Sequence, residues 1–208
     1  MNVFVLCTGR SGSSGFIEAC KHITNFSAAH ESLSDKLGLE RFQFPDRHIE
    51  ADNRLAWQLG QLDKTYGKEA FYIHLKRDEK ATAKSYMNRF LLPKSIIYAY
   101  ADGIKKLPPE ALSSHDRFHV CLDYVQTVNT NIEIFLKDKP SQLVVNLDNI
   151  TEDFKVFWTK IKADGDLETA LSEFDKKHNS KPRRTIDIKY SFKHSILKSR
   201  FFLDQIFK

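Results

Sequence analysis

The sequence predicts a three-layer α/β fold: a short parallel sheet of four or five strands with helices on both faces. Three observations predict it. Short, apolar, β-rich runs alternate along the chain with segments of helical period. The first of these runs closes in a Gly/Ser turn that opens a helix. No internal repeat or low-complexity linker breaks the alternation, so the 208 residues are expected as a single domain, 1–208.

The elements follow in order. Residues 3–6 are apolar and read as a buried parallel strand. Residues 13–22 read as a helix with Phe16, Ile17 and Cys20 on one face. A second short strand is expected over 23–28. Residues 29–47 read mostly as loop, long enough to be suspected of function. Residues 52–66 carry Leu55, Leu59, Leu62 and Tyr66 at helical spacing, with Gly67 as the stop. A strand over 70–75 precedes a helix over 79–90, which Pro93 ends. A further helix is expected over 95–106, before Pro108 and Pro109. Residues 117–136 read as a long helix with Phe118, Cys121, Val125, Val128 and Ile132 on one side. Residues 142–147 read as a buried strand. Helices follow over 151–161 and 167–174. A basic polar segment over 176–184 leads to a closing amphipathic helix over 192–207.

Composition narrows the class. A hydrophobic fraction of 41% with 16 Phe excludes a disordered chain. The net charge of +5 suits an anionic ligand, but no dense Lys/Arg stripe interleaved with aromatics marks a nucleic-acid partner. The three Cys have no regular spacing, so no disulfide framework is expected. They point to a reducing, cytoplasmic location. Residues 2–6 are too short and lack the basic flank of a signal peptide, and no run reaches the ~20 residues of a membrane span.

The chemistry begins at Cys7-Thr8-Gly9-Arg10-Ser11-Gly12-Ser13-Ser14-Gly15. A strand feeding a Gly/Ser turn that opens a helix is an anion site. The helix N-terminus offers unpaired N–H groups and a partial positive charge. Gly9 and Gly12 permit positive φ and close backbone approach. Ser11, Ser13 and Ser14 add hydroxyls, and Arg10 adds a fixed charge with several donors. The turn is not a Walker A motif: the residue after Gly12 is Ser13, not Lys. The same turn also serves as a plain helix cap in many proteins.

A second candidate anion site follows the strand over 70–75. Arg77 stands at its carboxyl end, where ligands of open α/β sheets bind, and Ser85 follows eight residues later on a helix. Otherwise Arg77 would pair with Asp78 or Glu79, and Ser85 would be an ordinary helix position.

Together the two segments resemble the family of sulfotransferases that use 3′-phosphoadenosine 5′-phosphosulfate (PAPS). Arg10-Ser11-Gly12-Ser13-Ser14 is similar to that family's Lys/Arg-Ser-Gly-Thr-Thr turn, with Arg for Lys and Ser for Thr. Arg77 and Ser85 match its later Arg and Ser, eight residues apart. The resemblance spans roughly residues 3–90. It implies a P-loop-like sulfotransferase fold and transfer of a sulfuryl group from PAPS to a hydroxyl acceptor, a carbohydrate among the candidates. Arg10, Ser11, Gly12, Ser13, Ser14 and Gly15 would hold the 5′-phosphosulfate, with Arg10 offsetting charge as the sulfuryl group leaves. Arg77 and Ser85 would hold the 3′-phosphate.

The family's base is a Glu or His, often in the loop after the second strand. Glu31 is the first candidate here and His30 the second. His48, Glu50 and Arg54 form a polar cluster assigned to acceptor binding, although the segment also reads as the start of a helix. The resemblance also implies a late basic loop over the nucleotide. On charge alone Lys181 or Arg183 would serve there, but the chain lacks the Arg-Lys-Gly stretch of the small-molecule branch. No metal is expected, since no His/Cys cluster has zinc spacing. Two alternatives stay open: a P-loop small-molecule kinase, which the missing Lys argues against, and a nucleotide-binding module without catalysis.

Overall fold

The protein is described by a computed structural model over residues 1–176. The expectations for residues 177–208, including Lys181, Arg183, the closing helix and their place in a single domain, lie outside the described residues.

Strand β1 (Val3–Cys7) is buried along its whole length. It lies at the centre of a five-stranded sheet of order β2-β3-β1-β4-β5. The other strands are β2 (Ser27–His30), β3 (His48–Ala51), β4 (Phe71–Lys76) and β5 (Gln142–Asn146). Every pairing is parallel, and each connection crosses back through helix, α-helical everywhere except between β2 and β3, where it is the 3₁₀ turn Gly38–Phe42.

The period of two along β1 divides the core. Val3, Val5 and Cys7 face one layer, with Phe16 and Ile17 of α1 (Ser13–Cys20) and Phe154 and Phe157 of α6 (Ile150–Lys160). The short helix α7 (Leu167–Ser172) adds Ala170 to it. Phe4 and Leu6 face the other layer. There they meet Leu62 of α2 (Leu59–Tyr66), Tyr86 of α3 (Glu79–Met87), Ile97 of α4 (Ile96–Ala99) and Tyr124 and Val128 of α5 (Ser114–Leu136). Each fully buried Phe or Leu contributes about 2 kcal/mol of transfer free energy, which is why one apolar strand organises both layers.

Several boundaries differ from expectation. β2 begins at Ser27, later than the apolar stretch suggests, because Ile23 is drawn into an isolated bridge with Gly165. β3 falls where a polar cluster was expected; His48 and Glu50 are strand residues. The helix expected over 52–66 is a 3₁₀ turn (Asn53–Trp57) followed by α2. The helix expected over 95–106 is α4 running into a wide π turn (Tyr100–Ile104). α5 starts three residues earlier than its apolar stripe suggests, because the Ser113 hydroxyl accepts the Asp116 N–H and caps it.

The topology positions the site. From β1 the chain crosses to β2 and β3 on one side; from β4 it crosses to β5 on the other. The carboxyl ends of β1 and β4 therefore flank a switch point, the crevice where open α/β sheets bind ligands. Both Arg10 and Arg77 follow directly on these two strands.

The three cysteines are buried and free. Among the described residues no helix is long and apolar enough to cross a membrane.

His74 on β4 is buried, and its Nε2 donates to Asn129 Oδ1 at 3.1 Å. Burial lowers its pKa from 6.5 to about 4, the bond to Asn129 opposing only part of that. The unfolded chain then binds more protons than the folded one between these values, so stability falls as pH drops below 6.5. Urea unfolding should show this residue removing roughly 2.5 kcal/mol between pH 7 and pH 4.5. His74→Gln should flatten the pH dependence by that amount; an unchanged slope would show that His74 does not titrate this way.

Candidate functional site

The turn after β1 is held from beneath. The Thr8 carbonyl accepts from the Tyr86 hydroxyl at 2.5 Å and from the Tyr124 hydroxyl at 2.8 Å. Burial pushes both phenols up from their ordinary range, so both remain protonated donors. Helices α3 and α5 are thereby fastened to the end of β1. Gly9 takes φ +76°, and a Cβ there would stand 2.5 Å from the Tyr86 oxygen and 2.8 Å from Asn53 Nδ2. Arg10 is left-handed too, at φ 59°, a strained state for a residue with a side chain. Gly12 caps α1 at φ +93°, with no side-chain hydrogen bond at the cap.

The helical ladder of α1 starts with the Phe16 N–H on the Gly12 carbonyl. The amides of Ser13, Ser14 and Gly15 lie ahead of it, at the positive end of the helix. Ser13 Oγ is turned toward β2 and lies 3.0 Å from His30 Nε2. Ser11 differs from the expectation of a hydroxyl ligand. Its side chain is fully buried beside the Cys7 thiol, and Oγ has no hydrogen-bond partner among the described residues.

The turn after β4 meets the turn after β1. Arg77 NH1 donates to the Arg10 carbonyl at 3.1 Å, and Arg10 Nε donates to Ser85 Oγ at 3.1 Å. Three of the motif residues read from sequence are thus joined in space. The Arg10 guanidinium is half-buried. Its pKa is lowered by that burial first and then by two neighbouring guanidinia, Arg89 and Arg77. Among the described residues none of these three arginines has a carboxylate partner. Like charges gathered without a counter-charge make a strongly positive crevice.

The far wall comes from β2 and β3. Glu31 sits at φ 54°, and its Oε2 is 2.9 Å from Arg54 NH1, both side chains about one-third exposed. His48 and Glu50, expected at the acceptor, are buried instead. Their side chains share one face of β3, as residues two apart on a strand must. His48 Nε2 lies 2.9 Å from Glu50 Oε2, and His48 Nδ1 lies 2.7 Å from Ser27 Oγ. Glu50 also accepts from Ser32 N–H and Ser32 Oγ, each at 2.7 Å. The chain Ser27–His48–Glu50–Ser32 clips both ends of β2 to β3 and fixes the loop that carries His30 and Glu31. A buried ion pair further along, Arg41 NH2 to Asp52 Oδ2 at 2.5 Å, steadies the end of β3. Burial still raises the Asp52 carboxyl above its ordinary range.

The sequence motifs do not mark Tyr86, Tyr124 or Arg89. The tyrosines sit on helical stripes and look like ordinary core; only the partner of their hydroxyls sets them apart. Arg89 had a findable signal, since it follows Ser85 by one helical turn. No group of three or more His, Cys, Asp or Glu positioned for a metal occurs among the described residues.

No family model and no curated protein matches the chain by sequence. Solved structures do match. One is mouse sulfotransferase SULT7A1 complexed with PAP, with a TM-score of 0.56 and 15% identity, covering 88% of this chain and 69% of that one. The chain has the sulfotransferase fold. Its parallel five-stranded sheet and flanking helices are the P-loop-like arrangement expected from the sequence.

The Thr8 clamp makes two predictions. Tyr86→Phe and Tyr124→Phe should each cost about 1 kcal/mol, because the other hydroxyl still satisfies the carbonyl. The double variant leaves that buried carbonyl unpaired and should cost about 3 kcal/mol, more than the sum. Urea unfolding of the four proteins checks this, and simple additivity would refute it. Gly9→Ala should cost roughly 2 kcal/mol or more, from its positive φ and the displaced Tyr86 hydroxyl. A melting temperature equal to that of the unaltered protein would contradict the close approach.

Proposed function

We propose that this protein transfers a sulfuryl group from PAPS to a hydroxyl acceptor. The observation that carries the proposal is the meeting of Arg10, Arg77 and Ser85 at the switch point, without a carboxylate partner for either arginine among the described residues. A half-buried arginine among like charges calls for an anion, and two such turns side by side suit a ligand phosphorylated at both ends. The fold supports the same reading, as does a structural neighbour crystallised with PAP. The glycines of the turn support it too. Gly9 and Gly12, at φ +76° and +93°, give the turn the positive φ that leads β1 into the helix N-terminus, where a phosphosulfate would lie.

PAPS supplies an activated sulfuryl group and leaves as adenosine 3′,5′-bisphosphate. In the proposed roles, the amides of residues 13–15 hold the oxygens of the 5′-phosphosulfate at the helix N-terminus. Arg10 balances charge as it develops on the bridging oxygen. Its contact with Ser85 links the two ends of the nucleotide site. Arg77 and Ser85 hold the 3′-phosphate. His30 is proposed as the base ahead of Glu31. Its Nε2 stands against Ser13, at the sulfate end of the turn, whereas the Glu31 carboxylate is engaged by Arg54. Arg54 and Glu31 then form the acceptor side, their polarity suiting a hydroxylated small molecule such as a carbohydrate. A cytoplasmic location belongs to the same proposal and rests on the buried free thiols.

Calorimetry should show saturable binding of adenosine 3′,5′-bisphosphate in preference to ATP with Mg²⁺. Preference for ATP would favour a kinase instead. Arg77→Ala should weaken the bisphosphate by roughly tenfold or more and leave 5′-AMP nearly unaffected. Equal loss for both would reject the 3′-phosphate role. For the base, nucleotide release from PAPS is followed with a panel of phenols and sugars. His30→Ala should keep nucleotide binding and lose about 10²-fold or more in turnover, while Glu31→Gln keeps most of it. The opposite pattern would transfer the role to Glu31.

A further inference from the structure

We propose that Arg89 is a third guanidinium of the nucleotide site and reads the ribose 3′-phosphate together with Arg77 and Ser85. The inference rests on the PAPS reading above and adds a residue outside both of its motifs.

The last turn of α3 is fixed against the turn after β1 by two bonds, Tyr86 to the Thr8 carbonyl and Arg10 to Ser85. The chain stays helical past the end of α3: Asn88 has φ −69° and ψ −10°, and the Arg89 N–H donates to the Tyr86 carbonyl at 2.8 Å. Ser85 and Arg89 are therefore one turn apart and share a helix face. The neighbouring arginines already have donors committed to the protein, Arg10 Nε to Ser85 and Arg77 NH1 to the Arg10 backbone. The Arg89 side chain is exposed and has no such bond among the described residues, so its planar fork remains available to a phosphate.

The electrostatics agree. Of the charged groups acting on Arg10, Arg89 is the strongest, ahead of Arg77. A third like charge at the crevice opposes folding unless something offsets it. A terminal phosphate dianion does so, and a sugar hydroxyl in its place does not. An arginine beyond a helix C-terminus also interacts with the free carbonyls there. That role would appear in stability alone and would not distinguish one nucleotide from another.

Calorimetry on the full chain, with adenosine 3′,5′-bisphosphate and with 5′-AMP, separates these outcomes. Arg89→Ala should weaken the bisphosphate by about tenfold and 5′-AMP by less than about twofold, with the melting temperature nearly unchanged. Arg89→Lys should recover part of the loss and Arg89→Glu should deepen it. If the unaltered protein binds the bisphosphate and Arg89→Ala binds it equally well, the assignment of Arg89 fails and the PAPS reading stands. If both nucleotides weaken alike, Arg89 contributes only a general field and the 3′-phosphate role is overturned. If the unaltered protein binds no bisphosphate, the PAPS reading itself fails and this inference with it.

Discussion

The carbonyl of Thr8 is the joint on which the molecule depends. It closes the central strand, and it accepts hydroxyls from two packed helices, whose tyrosine rings also meet edge to face at 5.2 Å. Tyr86 comes from α3 and Tyr124 from α5, and both are buried where a lost partner is costly. The candidate site is built on that joint. It sets the height of Gly9, which must be bare to pass under Tyr86. It brings the last turn of α3, with Ser85, up to Arg10. The apolar layers position these elements to within a few ångströms, but apolar packing is non-directional. The hydrogen bonds on Thr8 supply the direction.

Charge is the second constraint. The switch point collects arginines from three places in the chain: after β1, after β4 and after α3. None has a carboxylate partner among the described residues. Elsewhere the protein behaves differently. Arg41 is buried with Asp52, Arg54 reaches Glu31, and Lys139 stands between Asp63 and Asp138. Within one chain the fold balances its own charge at those places and, among the described residues, leaves the switch point positive.

The β2–β3 side solves a different problem. An edge strand of four residues has few backbone bonds to hold it. The buried chain from Ser27 through His48 and Glu50 to Ser32 adds a side-chain clip at each end. It also fixes the loop that carries His30 and Glu31. The residues that look most like an acceptor site in sequence are thus supports, and the side chains facing the Gly/Ser turn are their neighbours. A His and a Glu two apart signal a buried strand only when the partners across the sheet are known.

What the sequence by itself determined is local. The apolar run of β1, the glycines that need positive φ, and the Arg77 to Ser85 spacing each lie within one element or its adjoining turn, where period and backbone freedom are written directly in the residues. That was enough to predict the fold class and the position of most helices, and to single out the Gly/Ser turn as a candidate anion site. Tertiary structure decided which distant pieces meet. Strand order, fixed by pairing between segments up to about seventy residues apart, brought Arg77 and Ser85 to Arg10 and made β3 out of a polar cluster. It buried His48 and Glu50, turned Ser11 inward, set His30 against Ser13, and brought Arg89 to the same crevice. Those outcomes depend on long-range packing and charge, which no local periodicity encodes.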